Sequence, residues 1–198
     1  MWGTLRNSEV GLEDIAYFAP ELKRFDNLSV KISGVGSGTV ARLSAHDLLV
    51  DDGISKLSGS LNMNGLPDIN NTFIDFRNGH LRTSGKAALF YAPRLALQRS
   101  VNIGSLQSVD FKGNFTGFLT DFVAYGTFVT NLGNLRADLN MKLPKQGRPA
   151  YSGSVAATDF DIGTLLYQDY IGTTSFSAEL AGSGFNQKTV ALKIEGSV

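Results

Sequence analysis

Lys56-Leu57-Ser58-Gly59-Ser60-Leu61-Asn62-Met63-Asn64 alternates without a break, polar at every even position and apolar or glycine at every odd one. Successive side chains of a strand point to opposite faces, so a period of two describes a sheet with one apolar and one polar face. The same alternation runs through Asp110-Phe111-Lys112-Gly113-Asn114-Phe115-Thr116-Gly117 and through Leu135-Arg136-Ala137-Asp138-Leu139-Asn140-Met141-Lys142-Leu143. Working outward, further strands are expected over Leu28–Gly34, Gly38–Leu43, Leu48–Val50, Thr72–Phe76, Phe122–Val129, Ser152–Ala157, Thr174–Leu180 and Val190–Gly196. Turn-forming clusters separate them: Asp51-Asp52-Gly53, Asn78-Gly79, Asn131-Leu132-Gly133 and Lys145-Gln146-Gly147. Connections this short favour antiparallel neighbours.

Three helical stretches interrupt the strands. Leu12, Ile15, Phe18, Ala19 and Leu22 recur at helical spacing with Glu13 and Asp14 in the first turn, and Pro20 divides the segment into two short helices. Ser84 caps a turn or two before Pro93, and Asp161 caps Ile162–Gln168. No low-complexity linker divides residues 1–198, so one continuous sheet is expected.

Gly34, Gly59, Gly113, Gly117, Gly182 and Gly184 fall on the apolar parity of their strands. A closed sandwich core places bulk at such positions, so glycine there predicts either a sharply curled sheet or unfilled space above it. The predicted fold class is therefore all-β with a few short helices, a curled antiparallel sheet whose concave apolar side is a groove.

Composition excludes several functions. Lys plus Arg is 18 and Asp plus Glu is 18, so no field of one sign exists to hold nucleic acid. The absence of cysteine removes disulfides, thiolate zinc sites and a cysteine nucleophile. No run of about 18 apolar residues is present. The alternation continues to the last residues, Lys193-Ile194-Glu195-Gly196-Ser197-Val198, and a segment of a longer protein is expected.

Catalytic and ligand-binding motifs fail on their spacing. Gly34-Val35-Gly36-Ser37-Gly38 would need to open a helix to cradle a phosphate, and a strand pattern follows it instead. His80-Leu81-Arg82-Thr83-Ser84-Gly85-Lys86-Ala87 lacks the first glycine of a P-loop and the hydroxyl residue after its lysine. The two histidines, His46 and His80, have no second ligand at metal spacing and read as surface or turn residues; His46-Asp47 lacks the serine elbow of a hydrolase. Asp159-Phe160-Asp161 lacks the later bidentate carboxylate of a calcium loop. A glycosidase pair meets in space rather than in sequence, so spacing does not test it; the candidates Asp51, Asp52, Asp75 and Glu179 read as turn or solvent-face carboxylates. With 13 Phe against 6 Tyr and 1 Trp, the aromatics suit dry apolar surface better than sugar platforms. No catalytic residue, metal or cofactor is expected.

Asp14-Ile15-Ala16-Tyr17-Phe18-Ala19-Pro20-Glu21-Leu22 followed by Val30-Lys31-Ile32-Ser33-Gly34 resembles the helix-then-strand unit of TamB-like proteins of Bacteroidetes-type bacteria. Gly153-Ser154-Val155-Ala156-Ala157-Thr158-Asp159-Phe160-Asp161-Ile162-Gly163-Thr164-Leu165-Leu166, then Gly172 and Gly182-Ser183-Gly184-Phe185, is similar to a strand, Asn-or-Asp, Phe, Gly, Leu-Leu pattern of the AsmA/TamB superfamily. Phe111–Gly117, Asp121-Phe122 and Thr127–Thr130 continue the resemblance, while Thr158 stands where the pattern often has asparagine.

The resemblance implies a long periplasmic protein, anchored in the inner membrane by a segment outside this chain and built from repeated β-groove (β-taco) units. It implies roles in outer-membrane biogenesis and in phospholipid transfer between membranes. The expected partners are phospholipid acyl chains, neighbouring β-groove repeats and a TamA-like outer-membrane β-barrel. A dozen or so strands at about 4.8 Å would give a ribbon of roughly 55–60 Å. Under this reading Val30, Ile32, Leu57, Leu61, Met63, Phe111, Phe115, Leu139, Met141, Phe176 and Leu180 are the groove candidates. The alternative is a structural or adhesive envelope β-domain in which the same residues fill a closed core. A carbohydrate-active enzyme on a β-scaffold ranks third.

Overall fold

The computed structural model describes residues 2–16, 23, 25, 28–91, 93, 96, 101–144, 146–184 and 191–197. Eleven strands form one sheet: β1 (Trp2–Gly11), β2 (Ser29–Gly38), β3 (Arg42–Asp51), β4 (Lys56–Asn64), β5 (Phe73–Thr83), β6 (Val109–Phe118), β7 (Asp121–Thr130), β8 (Gly133–Lys142), β9 (Ala150–Asp161), β10 (Thr173–Ser183) and β11 (Ala191–Ser197). Each strand pairs antiparallel with its neighbours in sequence, and the sheet is not closed, so β1 and β11 form its two edges. Ten steps of about 4.8 Å carry it across about 48 Å.

Among the described residues three α-helices follow β1, β5 and β9: α1 (Leu12–Ile15), α2 (Gly85–Tyr91) and α3 (Ile162–Leu166). Odd strands of an antiparallel meander run the same way, so all three helices fall at one end of the sheet. Ser84 and Asp161 cap as expected. The Ser84 Oγ accepts from the Ala87 N–H at 3.2 Å, and the Asp161 carboxylate accepts from the Thr164 N–H at 2.9 Å and its hydroxyl at 2.7 Å. The second helix expected around Pro20, the Tyr17–Leu22 part of the resemblance, Lys145, Phe185 and Val190 lie outside the described residues.

The buried core is divided between two clusters beside these helices. Leu12, Phe25 and Val30 pack with Val10, Leu28, Ile32, Val50 and Tyr91. Leu132, Ala157 and Phe160 pack with Leu106, Leu135, Ile162, Leu165 and Phe176. A hydrogen bond from the Asn102 N–H to the Leu165 carbonyl, 2.7 Å, ties the segment after α2 to α3.

Four strand expectations are corrected, three at a bulge within a strand and one, Gly38–Leu43, at a turn closed by backbone hydrogen bonds between Thr39 and Arg42. β1 was not foreseen; Gly38–Leu43 is the end of β2, a turn and the start of β3; Leu48–Val50 is the second half of β3; and Asn78-Gly79 lies inside β5 rather than ending it. Asn7, Asp47 and Asn78 have φ of 47°, 52° and 51° and sit where the pairing register slips by a residue. Asn and Asp tolerate this left-handed geometry, and each such bulge moves the following side chains to the opposite parity. The freed N–H of Asn7 donates to Ser33 Oγ at 2.9 Å and that of Asn78 to Asn114 Oδ1 at 2.8 Å. Asp159 repeats the device in β9, with φ 48° and its N–H on Ser175 Oγ at 2.9 Å.

Glycine allows the centre of the sheet to close up. A Cβ on Gly126 would lie 2.4 Å from the Phe111 ring and 2.5 Å from the Lys112 carbonyl oxygen, whereas one on Gly172 would meet nothing within 4 Å. Gly126→Ala should therefore cost about 1–3 kcal/mol in urea unfolding. Gly172→Ala should be neutral within about 0.5 kcal/mol. Equal effects would refute the packing.

Candidate functional site

One face of the sheet is apolar, and register arranges it in rows that cross the strands. The first row is Ile32, Val50, Leu57, Leu81, Phe111, Phe128, Leu135, Ala157 and Phe176, each opposite the next. A second, two residues further along the strands, is Gly79, Gly113, Gly126, Ala137, Val155, Ala178 and Gly196. The third holds Ala45, Leu61, Phe76, Phe115, Ala124, Leu139, Gly153 and Leu180, and the fourth Leu43, Met63, Ile74, Gly117, Phe122, Met141 and Tyr151.

A row of small residues thus lies between rows of large ones. The space over its glycines is partly filled by reclining rings: a Cβ on Gly59 or Gly79 would be 2.8 or 2.3 Å from the Phe76 ring, and one on Gly113 2.6 Å from the Phe111 ring. Phe111 and Phe128 stand 4.6 Å apart between centroids, and Phe115 and Phe122 4.8 Å. Offset aromatic contacts at such distances add about 0.5–1.5 kcal/mol each to area burial.

The predicted groove residues divide by surroundings. Val30 is 5% exposed and belongs to the core beside α1, where Ile32 also packs; Phe176 packs beside α3. Leu57, Leu61, Met63, Phe111, Phe115, Leu139, Met141 and Leu180 share the apolar face and are half-buried. The structure adds Leu81, hidden by the bulge at Asn78, Phe76 before it, and Phe122 and Phe128 of β7. In β7 both parities are apolar, with Val123 and Val129 43% and 56% exposed on the other face, so alternation alone could not select a side. The shared parity of Phe122, Gly126 and Phe128 is the signal that could have done so.

The rejected motifs have ordinary structural roles. Gly34–Gly38 is the second half of β2, and the turn after it contains no helix. The histidines lie within strands rather than turns: His46 is exposed in β3, and His80 is half-buried in β5. Asp51 pairs with Lys56 at 3.4 Å and Asp75 with Arg77 at 2.9 Å. Asp52 accepts the N–H groups of Ile54 and Ser55 at 2.7 and 2.6 Å and the Tyr91 hydroxyl, joining the β3–β4 turn to α2. Burial, then the Asp52 carboxylate, pushes the Tyr91 phenol well above its usual range. Among the described residues no group of three His, Asp or Glu side chains could hold a metal, and no helix is long and apolar enough to cross a membrane.

In comparisons with known proteins, no family model, curated protein or solved structure matches this chain.

The polar face carries one tight charge cluster. His80 Nε2 lies 2.9 Å from Asp110 Oδ1, and Arg82 Nε 3.2 Å from Asp110 Oδ2. The hydrogen bond from His80, followed by that from Arg82, holds the Asp110 carboxyl below the usual carboxylate range. A carboxyl depressed on folding contributes stability above its unfolded pKa and loses it as pH falls through the folded one. Carbon-detected NMR titration should place the Asp110 midpoint below an ordinary aspartate, and His80→Ala should raise it. An unmoved midpoint would remove His80 as the main cause.

Proposed function

We propose that this chain is a non-catalytic segment of an envelope protein of the AsmA/TamB type, whose apolar face forms a groove for phospholipid acyl chains. The observation that carries the reading is a single unclosed sheet whose rows of Leu, Met and Phe remain half-exposed between Leu57 and Leu180. Monomeric proteins rarely leave large contiguous apolar surface uncovered, and such surface marks a binding face. Among the described residues the helices pack beside the row that includes Ile32, Leu135 and Phe176.

With the Phe76 and Phe111 rings reclining over the glycines of the small-residue row, the half-buried rows supply a continuous apolar surface suited to an extended hydrocarbon chain. Each methylene held there rather than in water is stabilised by about 0.8 kcal/mol. A lipid tail could thus pass along the rows without full hydration, which is the physical requirement for transfer between inner and outer membranes. No titratable group is needed. In this reading the protein works in the periplasm, anchored in the inner membrane by a segment outside this chain. The two strand edges would pair with neighbouring β-groove repeats, and a TamA-like outer-membrane β-barrel would be engaged by other parts of the protein.

Native mass spectrometry of the protein gently purified from a lipid-replete envelope fraction tests this. Phospholipid should co-purify, and Leu61→Glu and Phe115→Glu should each abolish its retention while circular dichroism and the melting transition persist. A stable lipid-free wild-type protein would overturn the groove in favour of a structural or adhesive domain. Unfolding of both variants would make the two residues closed core.

A further inference from the structure

We propose that the polar face of β5–β8 carries a binding site for an acidic saccharide, formed by the juxtaposition of Lys112 and Arg136 with Tyr125. The site lies on the opposite side of the sheet from the apolar rows and does not depend on the lipid reading. Register fixes its two walls. His80, Lys112, Thr127 and Arg136 face one another across consecutive strands, as do Asn114, Tyr125 and Asp138 two residues away. Between the walls runs the backbone of Gly79, Gly113, Gly126 and Ala137, and the cavity above it has a volume of about 490 Å³.

The charges are arranged for a ligand rather than for internal pairing. Lys56, Arg77, Arg82 and Lys142 each have a carboxylate within 4.0 Å, but Lys112 and Arg136 have none among the described residues. Asp110, the acidic neighbour of Lys112 along β6, is held by His80 and Arg82. Lys112 and Arg136 are separated by one strand, which puts their Cα atoms about 10 Å apart with the Thr127 hydroxyl between them.

On the other wall Tyr125 is 53% exposed. The Asn114 Oδ1 already accepts the Asn78 N–H, leaving its amide N–H groups to donate. Asp138 adds an acceptor next to Tyr125.

The combination selects a ligand class. A simple phosphate would suit the two cations but meet repulsion from Asp138 and leave the Tyr125 ring idle. A neutral sugar would use the ring and the polar groups but leave both cations unpaired. A sugar acid satisfies all of them: its carboxylate takes Arg136 and Lys112 in charge-assisted hydrogen bonds, its hydroxyls meet Asn114, Thr127 and Asp138, and its C–H face lies on Tyr125. All of these residues stand on hydrogen-bonded strands, so little ordering is required on binding.

Titration of the 15N-labelled full chain with glucuronate, glucose and acetate, followed by amide shifts, tests the assignment. Glucuronate should give saturable shifts confined to 78–80, 112–114, 125–127 and 136–138 with a millimolar Kd, and glucose and acetate should bind about tenfold more weakly or worse. The Lys112→Gln/Arg136→Gln double variant should lose the response, whereas Lys31→Gln, an exposed cation on β2 away from the cavity, should keep it. No saturable response up to about 50 mM glucuronate would overturn the site. An equal response to acetate would reduce it to non-selective anion attraction and overturn the saccharide assignment.

Discussion

The close approach of backbone and ring along the glycine row is the constraint on which the sheet depends. At Gly113 an added Cβ would be 2.2 Å from the Tyr125 carbonyl oxygen, and at Gly126 2.5 Å from that of Lys112, so neighbouring strands meet there at distances that exclude a side chain. The same positions receive the Phe111 ring, while the Phe76 ring covers Gly59 and Gly79. Register follows from this fit, because a slip of one residue would bring Asn114 or Lys112 beneath a ring and turn every apolar row outward. Glycine forfeits packing of its own at these positions, and the rings of neighbouring positions return part of it.

The strands without a bulge were legible from sequence, and β4 is found at the bounds its alternation gave, Lys56–Asn64. Alternation failed at β1, β3 and β5, where Asn7, Asp47 and Asn78 shift the parity within a strand. A single aspartate or asparagine carries too little local signal to reveal a φ near 50°, because the conformation is imposed by pairing to both neighbours. The apolar face was accordingly read in part. Ile32, Leu57, Leu61, Met63, Phe111, Phe115, Leu139, Met141, Phe176 and Leu180 are legible as part of it, and Leu81 is lost to the parity change. The polar cavity was invisible because its residues meet across four strands, and register between strands is a tertiary property. The sparse tyrosine and tryptophan content points away from a sugar platform, and composition does not show that Tyr125 stands exposed on the wall facing Lys112 and Arg136.

The two faces are coupled through the backbone they share. Where side chains shrink to hydrogen in Gly113 and Gly126, one face gains room for a ring and the other shows bare peptide between two walls of polar groups. A single row of residues therefore shapes an apolar surface and a polar cavity at once. Each face keeps its own chemistry, because alternation never lets a charged side chain of β6 or β8 onto the apolar side.

The helices follow the first, fifth and ninth strands, with four strands from each to the next. In a meander the direction of travel reverses at every turn, so an even interval returns each helix to the same border. The architecture consequently has an arithmetic of its own. Losing or gaining strands in pairs keeps all the helices on one border. An odd change sends every later helix to the far side and inverts the polarity of the molecule beyond that point. Length can therefore vary in such a chain in steps of two strands without moving any helix to the other border.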